Sequence, residues 1–137
     1  MGMKRLTRPT LVTLIVLAVG LGACAETGAV TDPVLVDAAA AATLIAETAD
    51  LVVLDVRTAA EVAEGVIPDA IHIDWNSPDF ADKVAGLDRD VPYLVYCRSG
   101  NRSQGAVATM ADLGFTQVHE LEGGILAWIG AGGTITG

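Results

Sequence analysis

Cysteine and histidine are scarce in this sequence, two of each in 137 residues, and they are not grouped. There is no CxxC, no HExxH and no cluster of histidine with carboxylates. Structural and catalytic metal ions are held by such close ligand sets, so no metal centre and no cofactor is expected. His72 and His119 stand far apart and read as structural residues. Basic residues are also few: eight Lys and Arg face seventeen Asp and Glu, a net charge of −9. A chain this acidic offers no broad positive surface to a phosphate backbone, so no nucleic-acid partner is expected. The acid excess names no other partner, because solvated surfaces are commonly acidic. No internal repeat and no second domain is visible, and 52% hydrophobic residues is far from the composition of a disordered chain.

The apolar residues are unevenly spread. Lys4, Arg5 and Arg8 precede a stretch from Leu11 to Gly22 that carries no charge, and the small-residue context Leu21, Gly22, Ala23, Cys24 follows. That order is an export signal. The stretch is twelve residues long, against the ~20 that cross a bilayer as a helix, so cleavage is expected over permanent anchoring. LGAC resembles the lipobox of bacterial lipoproteins, which implies that Cys24 is acylated and becomes the first mature residue. The alternative is an ordinary signal peptide cut near a chance cysteine. Leu6 stands where myristoylation wants Ser or Thr. The expected organisation is a signal peptide over 1–23, a lipidated Cys24 with a tether over 24–33, and a folded domain over 34–137. Removing 1–23 leaves five basic and seventeen acidic residues, a mature charge of −12. The domain is expected on a cell membrane, lipid-anchored, facing outside the cytoplasm.

Within the domain, β-rich runs alternate with helical stretches. Val34–Val36, Leu51–Leu54, Ile71–Ile73, Tyr93–Tyr96 and Gln117–Leu121 read as strands. Asp37–Glu47, Ala59–Glu64, Asp79–Ala85, Ser103–Leu113 and Ile125–Ile129 read as helices. Asp37 is placed as an N-cap and Gly114 as a helix stop. Such alternation predicts a parallel sheet covered by helices on both faces, with ligands beyond the carboxyl ends of the strands.

Beyond Tyr96 lies CRSGNR, Cys97 to Arg102, and then a helix. Strand, short loop and helix make an anion cradle: Gly100 allows the loop N–H groups to turn inward, and the helix adds its unpaired N–H groups. Cys97 sits at its rim, where Arg98, Arg102 and these N–H groups favour the thiolate. If Cys24 is acylated, Cys97 has no disulfide partner within the chain. The bland alternative is a buried, inert cysteine.

DVRTAAEVAEGVIPDAIHID, YCRSGNRS and LEGGILAW, spanning Asp55 to Trp128, resemble the three successive signatures of the rhodanese-like domain. The resemblance implies a three-layer α/β/α fold with a five-stranded parallel sheet in the order 3-2-4-5-1. It also implies a cysteine, here Cys97, that carries a persulfide, moving sulfane sulfur from a donor such as thiosulfate to a thiophilic acceptor. Arg98, Ser99, Gly100, Asn101, Arg102 and Ser103 would bind substrate, with Arg98 at the mouth and Arg102 paired to an unidentified carboxylate. Asp55 and Arg57 would buttress the loop. GVIPDA departs from the usual GHIPGA, Val66 replacing a histidine, which is expected to alter stability or pocket edge. Trp75 reads as packing or as a lining of the entrance, Trp128 as core, and Gly123 with Gly124 as a tight turn. A sulfur carrier or redox-partner binding module is an alternative to the enzyme. A cysteine phosphatase is a third reading, but it needs arginine six positions after the cysteine, where this chain has Ser103.

Overall fold

The computed structural model describes residues 31–137. The expected signal peptide and Cys24 lie outside the described residues. Ten elements follow in strict alternation: β1 (Val34–Val36), α1 (Ala38–Glu47), β2 (Val52–Asp55), α2 (Ala59–Val62), β3 (Ile71–His72), α3 (Phe80–Ala85), β4 (Tyr93–Tyr96), α4 (Asn101–Asp112), β5 (Val118–Leu121) and α5 (Gly124–Gly130).

β4 is apolar along its length, as a strand covered on both faces must be, and every residue of it is buried. It lies at the centre of a five-stranded sheet in the order β1-β5-β4-β2-β3, all pairs parallel. This is the expected 3-2-4-5-1 order read from the other edge.

Side-chain alternation divides the core in two. Leu54, Tyr93, Val95, Cys97 and Val118 face α3 and α4, where Phe80, Val84, Ala106, Val107 and Met110 meet them. Val53, Leu94, Tyr96 and Leu121 face the opposite way, onto Ala41 of α1 and Ile125 and Trp128 of α5. Fully buried side chains such as Leu54 and Leu94 each contribute about 1.5–3 kcal/mol by leaving water. The same alternation directs Cys97 onto the α4 side.

The helix ends follow their local chemistry. Asp37 Oδ1 accepts the Ala40 N–H at 2.8 Å, capping α1. Gly114 follows α4 at φ 89°. α4 begins at Asn101, two residues before the expected Ser103, because Gly100 at φ 108° turns the chain directly into the helix. Arg102 and Ser103 are therefore first-turn residues of α4. β2 runs on to Asp55, which pairs with Tyr96 on one side and His72 on the other. Val66 is the partner of Thr136 in an antiparallel bridge, with N–H to carbonyl distances of 2.7 and 2.8 Å. Just before that bridge the tail passes Trp128, whose indole N–H donates to the Thr134 carbonyl at 2.8 Å. Trp128 is buried in the core as expected. No described helix is long and apolar enough to cross a membrane.

Candidate active site

The site forms where β4 ends and α4 begins. A helix start leaves its first N–H groups without partners, and here neither the N-cap residue Gly100 nor any acidic residue of the first turn satisfies them. The sulfur of Cys97 takes that place: the Gly100 N–H donates to Sγ at 3.1 Å. Burial pushes the thiol pKa up, but the hydrogen bond it shares with the Ser103 hydroxyl and those from the backbone N–H groups of Ser103, Gly100 and Ser99 outweigh it and hold the thiol below its ordinary value. A buried inert cysteine shifts the other way. Cys97 is only 1% exposed, yet it is poised toward the thiolate. The donors responsible are hydrogen bonds, whereas the sequence pointed to guanidinium groups as well.

The two arginines have separate places. Arg98 is exposed, as are Ser99 and Asn101, at the rim of the loop. Arg102 turns inward and makes two 2.7 Å bonds to Glu61, Nη1 to Oε2 and Nη2 to Oε1. Glu61 is thus the carboxylate that the sequence left unnamed. Its hydrogen bonds from Arg102 outweigh burial and, with those from Thr58, lower its pKa from 4.5 to about 2. Thr58 and Glu61 form a capping box on α2, the Glu61 N–H donating to Thr58 Oγ and the Thr58 N–H to Glu61 Oε2. One carboxylate thereby starts α2 and closes the Cys97 loop. The TxxE spacing was a usable signal for its orientation, though not for its partner.

Asp55 and Arg57 lie beneath α2. Arg57 clasps Asp55 through Nε and Nη2, the shortest bond being 2.6 Å. It also donates to the carbonyls of Glu61 at 3.2 Å and Gly65 at 2.7 Å. The pair therefore ties down the C-terminal end of α2, the helix that presents Glu61 to Arg102. The Arg57 guanidinium lies 5.6 Å from the centre of the Tyr96 ring, whose hydroxyl accepts the Ile67 N–H at 3.1 Å.

Turning the loop N–H groups toward sulfur turns its carbonyls away, and these need donors of their own. The first turn of α5 supplies them: Ile125 N–H donates to the Cys97 carbonyl at 2.9 Å and Leu126 N–H to that of Arg98 at 3.2 Å. Gly123 and Gly124, at φ 71° and 60°, bring α5 this close. A Cβ on Gly124 would stand 2.4 Å from the Cys97 carbonyl oxygen. Gly123 thus completes the expected turn while Gly124 already begins α5, and together they back the loop, a role sequence reasoning missed. It also missed Glu120, whose Oε1 accepts the buried Ser103 hydroxyl at 2.7 Å.

The remaining candidates sit outside the site's chemistry. Trp75 packs edge-on against Phe80 at 4.9 Å and its ring covers Gly105, which favours the packing reading. His72 Nε2 meets the Arg57 carbonyl at 2.7 Å, and His119 Nδ1 meets that of Tyr93 at 3.3 Å.

A doubly covered parallel sheet with a cysteine at the helix N-terminus beyond its central strand defines a class of α/β domains. The family model for the rhodanese-like domain matches residues 37–131, and the chain belongs to that family. A sulfurtransferase of Allochromatium vinosum is 42% identical over 84 residues, which are 61% of this chain and 77% of that protein. The thiosulfate sulfurtransferase GlpE of Pseudomonas savastanoi pv. phaseolicola is 40% identical over 77 residues, 56% of this chain and 71% of its own. Among solved structures, a rhodanese-related protein from Thermoplasma volcanium superimposes with a TM-score of 0.67 at 35% identity, covering 75% of this chain and 97% of that one.

Proposed function

We propose that the protein is a sulfurtransferase in which Cys97 carries a persulfide. The observation that carries this reading is the hydrogen-bonded sulfur at the start of α4, with the Gly100 N–H 3.1 Å from Sγ. The thiolate attacks the outer sulfur of thiosulfate, a sulfur–sulfur bond forms, and the bond to the departing sulfite breaks with its electron pair. An acceptor such as cyanide or a thiol then takes the outer sulfur and regenerates the thiolate. The N–H groups of the loop stabilise the negative charge on either sulfur, and Arg98 at the rim attracts the anionic donor. Residues 98–103 form the donor site. Sulfurtransferases at about 40% identity support the reaction class. The Arg102 guanidinium is already occupied by Glu61, which disfavours a phosphatase, where that group must clamp a phosphoryl.

The test is the intact mass of the full chain after addition of thiosulfate, followed by transfer to cyanide. One added sulfur atom is expected, and Cys97→Ser should abolish both the adduct and turnover. Near wild-type turnover in that variant would remove Cys97 from its role.

We also propose that Cys24 is diacylated and tethers the domain to the outer side of the cytoplasmic membrane. LGAC following a basic and then an apolar segment supports this.

A further inference from the structure

Glu120 is a carboxylate set into a sheet, 7% exposed, on the residue of β5 that pairs with Val95 of β4 and Leu35 of β1. The ion pairs among the described residues are Arg57–Asp55, Lys83–Asp79 and Arg102–Glu61, so Glu120 has no basic partner there. Its partner is a hydroxyl, that of Ser103 at 2.7 Å. Ser103 Oγ in turn lies 3.5 Å from Cys97 Sγ, in position to accept the thiol proton. A serine hydroxyl holds one hydrogen. With that hydrogen directed to the carboxylate, the oxygen lone pairs are left facing the thiol. The Gly100 carbonyl, 3.0 Å from Ser103 Oγ, is the competing acceptor, but it is uncharged and farther away.

We propose that Glu120 is a positioning residue that accepts the thiol proton through Ser103, so that Cys97 and Glu120 share a single proton. The Sγ–H bond breaks and its electron pair stays on sulfur. The proton passes to Ser103 Oγ as the original Ser103 hydrogen passes to Glu120 Oε1. One negative charge is present before and after, first on the carboxylate and then on sulfur. A neutral Glu120 leaves no second negative charge behind the thiolate when an anionic donor arrives.

The other charged groups around this chain of atoms are few. From α4 and α2 come Arg102 and Glu61, already paired, with Asp74 in the field of the same guanidinium. Arg98 is exposed at the rim. Along β5, alternation sends His119 to the opposite face, where it meets the Tyr93 carbonyl, and Glu122 is exposed beyond the strand. β1 and β4 place Leu35 and Val95 beside Glu120.

The inference rests on Cys97 being the reactive thiol, but its test does not use sulfur transfer. In the full chain, alkylation by iodoacetamide is followed from about pH 4 to 10 on the peptide that bears Cys97, which separates it from Cys24. Two sites sharing a proton titrate in two macroscopic steps, the second delayed by the charge already present. Wild type should show both steps. Glu120→Gln, which keeps shape and an acceptor for Ser103, should show one, with the alkaline midpoint lowered by about one pH unit, a tenfold gain in thiolate at fixed pH. Ser103→Ala should also give one step with Glu120 intact, and Ser103→Thr should restore two. Superimposable profiles for wild type and Glu120→Gln would overturn the proposal, as would two steps in Ser103→Ala. Should Glu120→Gln fail to fold, the two Ser103 variants decide the matter. The expected profiles without thiosulfate turnover would retain the shared proton and remove the sulfurtransferase reading; turnover with a single-step wild type would do the reverse.

Discussion

At the residue scale, Glu61 links the stability of the domain to the shape of its loop. Its side chain is about four-fifths buried, and its carboxylate takes two short bonds from Arg102 as well as the Thr58 N–H. Its pKa is depressed from 4.5 to about 2 in the folded protein. A group depressed on folding stabilises the fold above its unfolded pKa, and the contribution disappears as pH falls through the folded value. The window therefore opens near pH 4.5 and closes near pH 2. Glu61→Gln retains the capping box, since glutamine serves there too, and removes the charge together with one of the two oxygens that accept from Arg102. It should lower unfolding free energy by about 2 kcal/mol at neutral pH, the value of a hydrogen-bonded charge. Urea midpoints measured down the pH scale should show the two proteins converging as the wild type approaches its folded pKa. A gap that stays constant with pH would mean that Glu61 acts through shape alone.

At the element scale, two helix N-termini meet at one loop and do opposite jobs. α4 turns N–H groups toward the Cys97 sulfur, and α5 turns N–H groups toward the carbonyls that the loop exposes behind it. Gly124 is where these requirements collide, because a side chain there would enter the Cys97 and Arg98 backbone, and the residue is at φ 60° besides. Gly124→Ala should cost about 2–4 kcal/mol, from overpacking together with a left-handed alanine. Gly130, in the same helix, has nothing within 4 Å of an added Cβ. Gly130→Ala should therefore leave stability unchanged or slightly raised. Equal losses at the two positions would mean that α5 answers to helix propensity and not to its contact with the loop.

At the scale of the whole molecule, the question is where the domain works. Among the described residues the first strand, β1, starts at Val34, ten positions after the proposed anchor at Cys24. Two acyl chains hold a protein firmly where one is marginal. The full chain expressed in a bacterial host should sediment with membranes and carry acyl mass on Cys24, whereas Cys24→Ala should accumulate as unprocessed, unlipidated precursor. Wild type recovered unlipidated in the cytosol would refute the anchor. Reductants are scarce outside the cytoplasm, so Cys97 there should overoxidise readily in the absence of sulfur donor.

Much of the fold is local and could be read in chain order. A continuous apolar run can only be a covered strand or a buried helix, and Tyr93–Tyr96 is too short for the second. The aspartate before the alanines capped α1 as expected. The glycine within the loop told of an inward-turned backbone, though it started α4 two residues earlier than Ser103. The place of Cys97, at the end of a central strand and the mouth of a helix, was therefore determined by sequence. The groups that serve it were not, because they arrive from other strands and helices. Glu61 lies 41 residues from Arg102, and Glu120 lies 17 from Ser103. No periodicity links them. Trp75 was ambiguous for the same reason, until Phe80 and Gly105 were seen against its ring. Sequence determined the place of Cys97 and its cradle, since a strand, a glycine and a helix start are consecutive. Only the tertiary structure decided which carboxylates face the loop and which helix backs it, since sheet order and strand register bring those residues together in space.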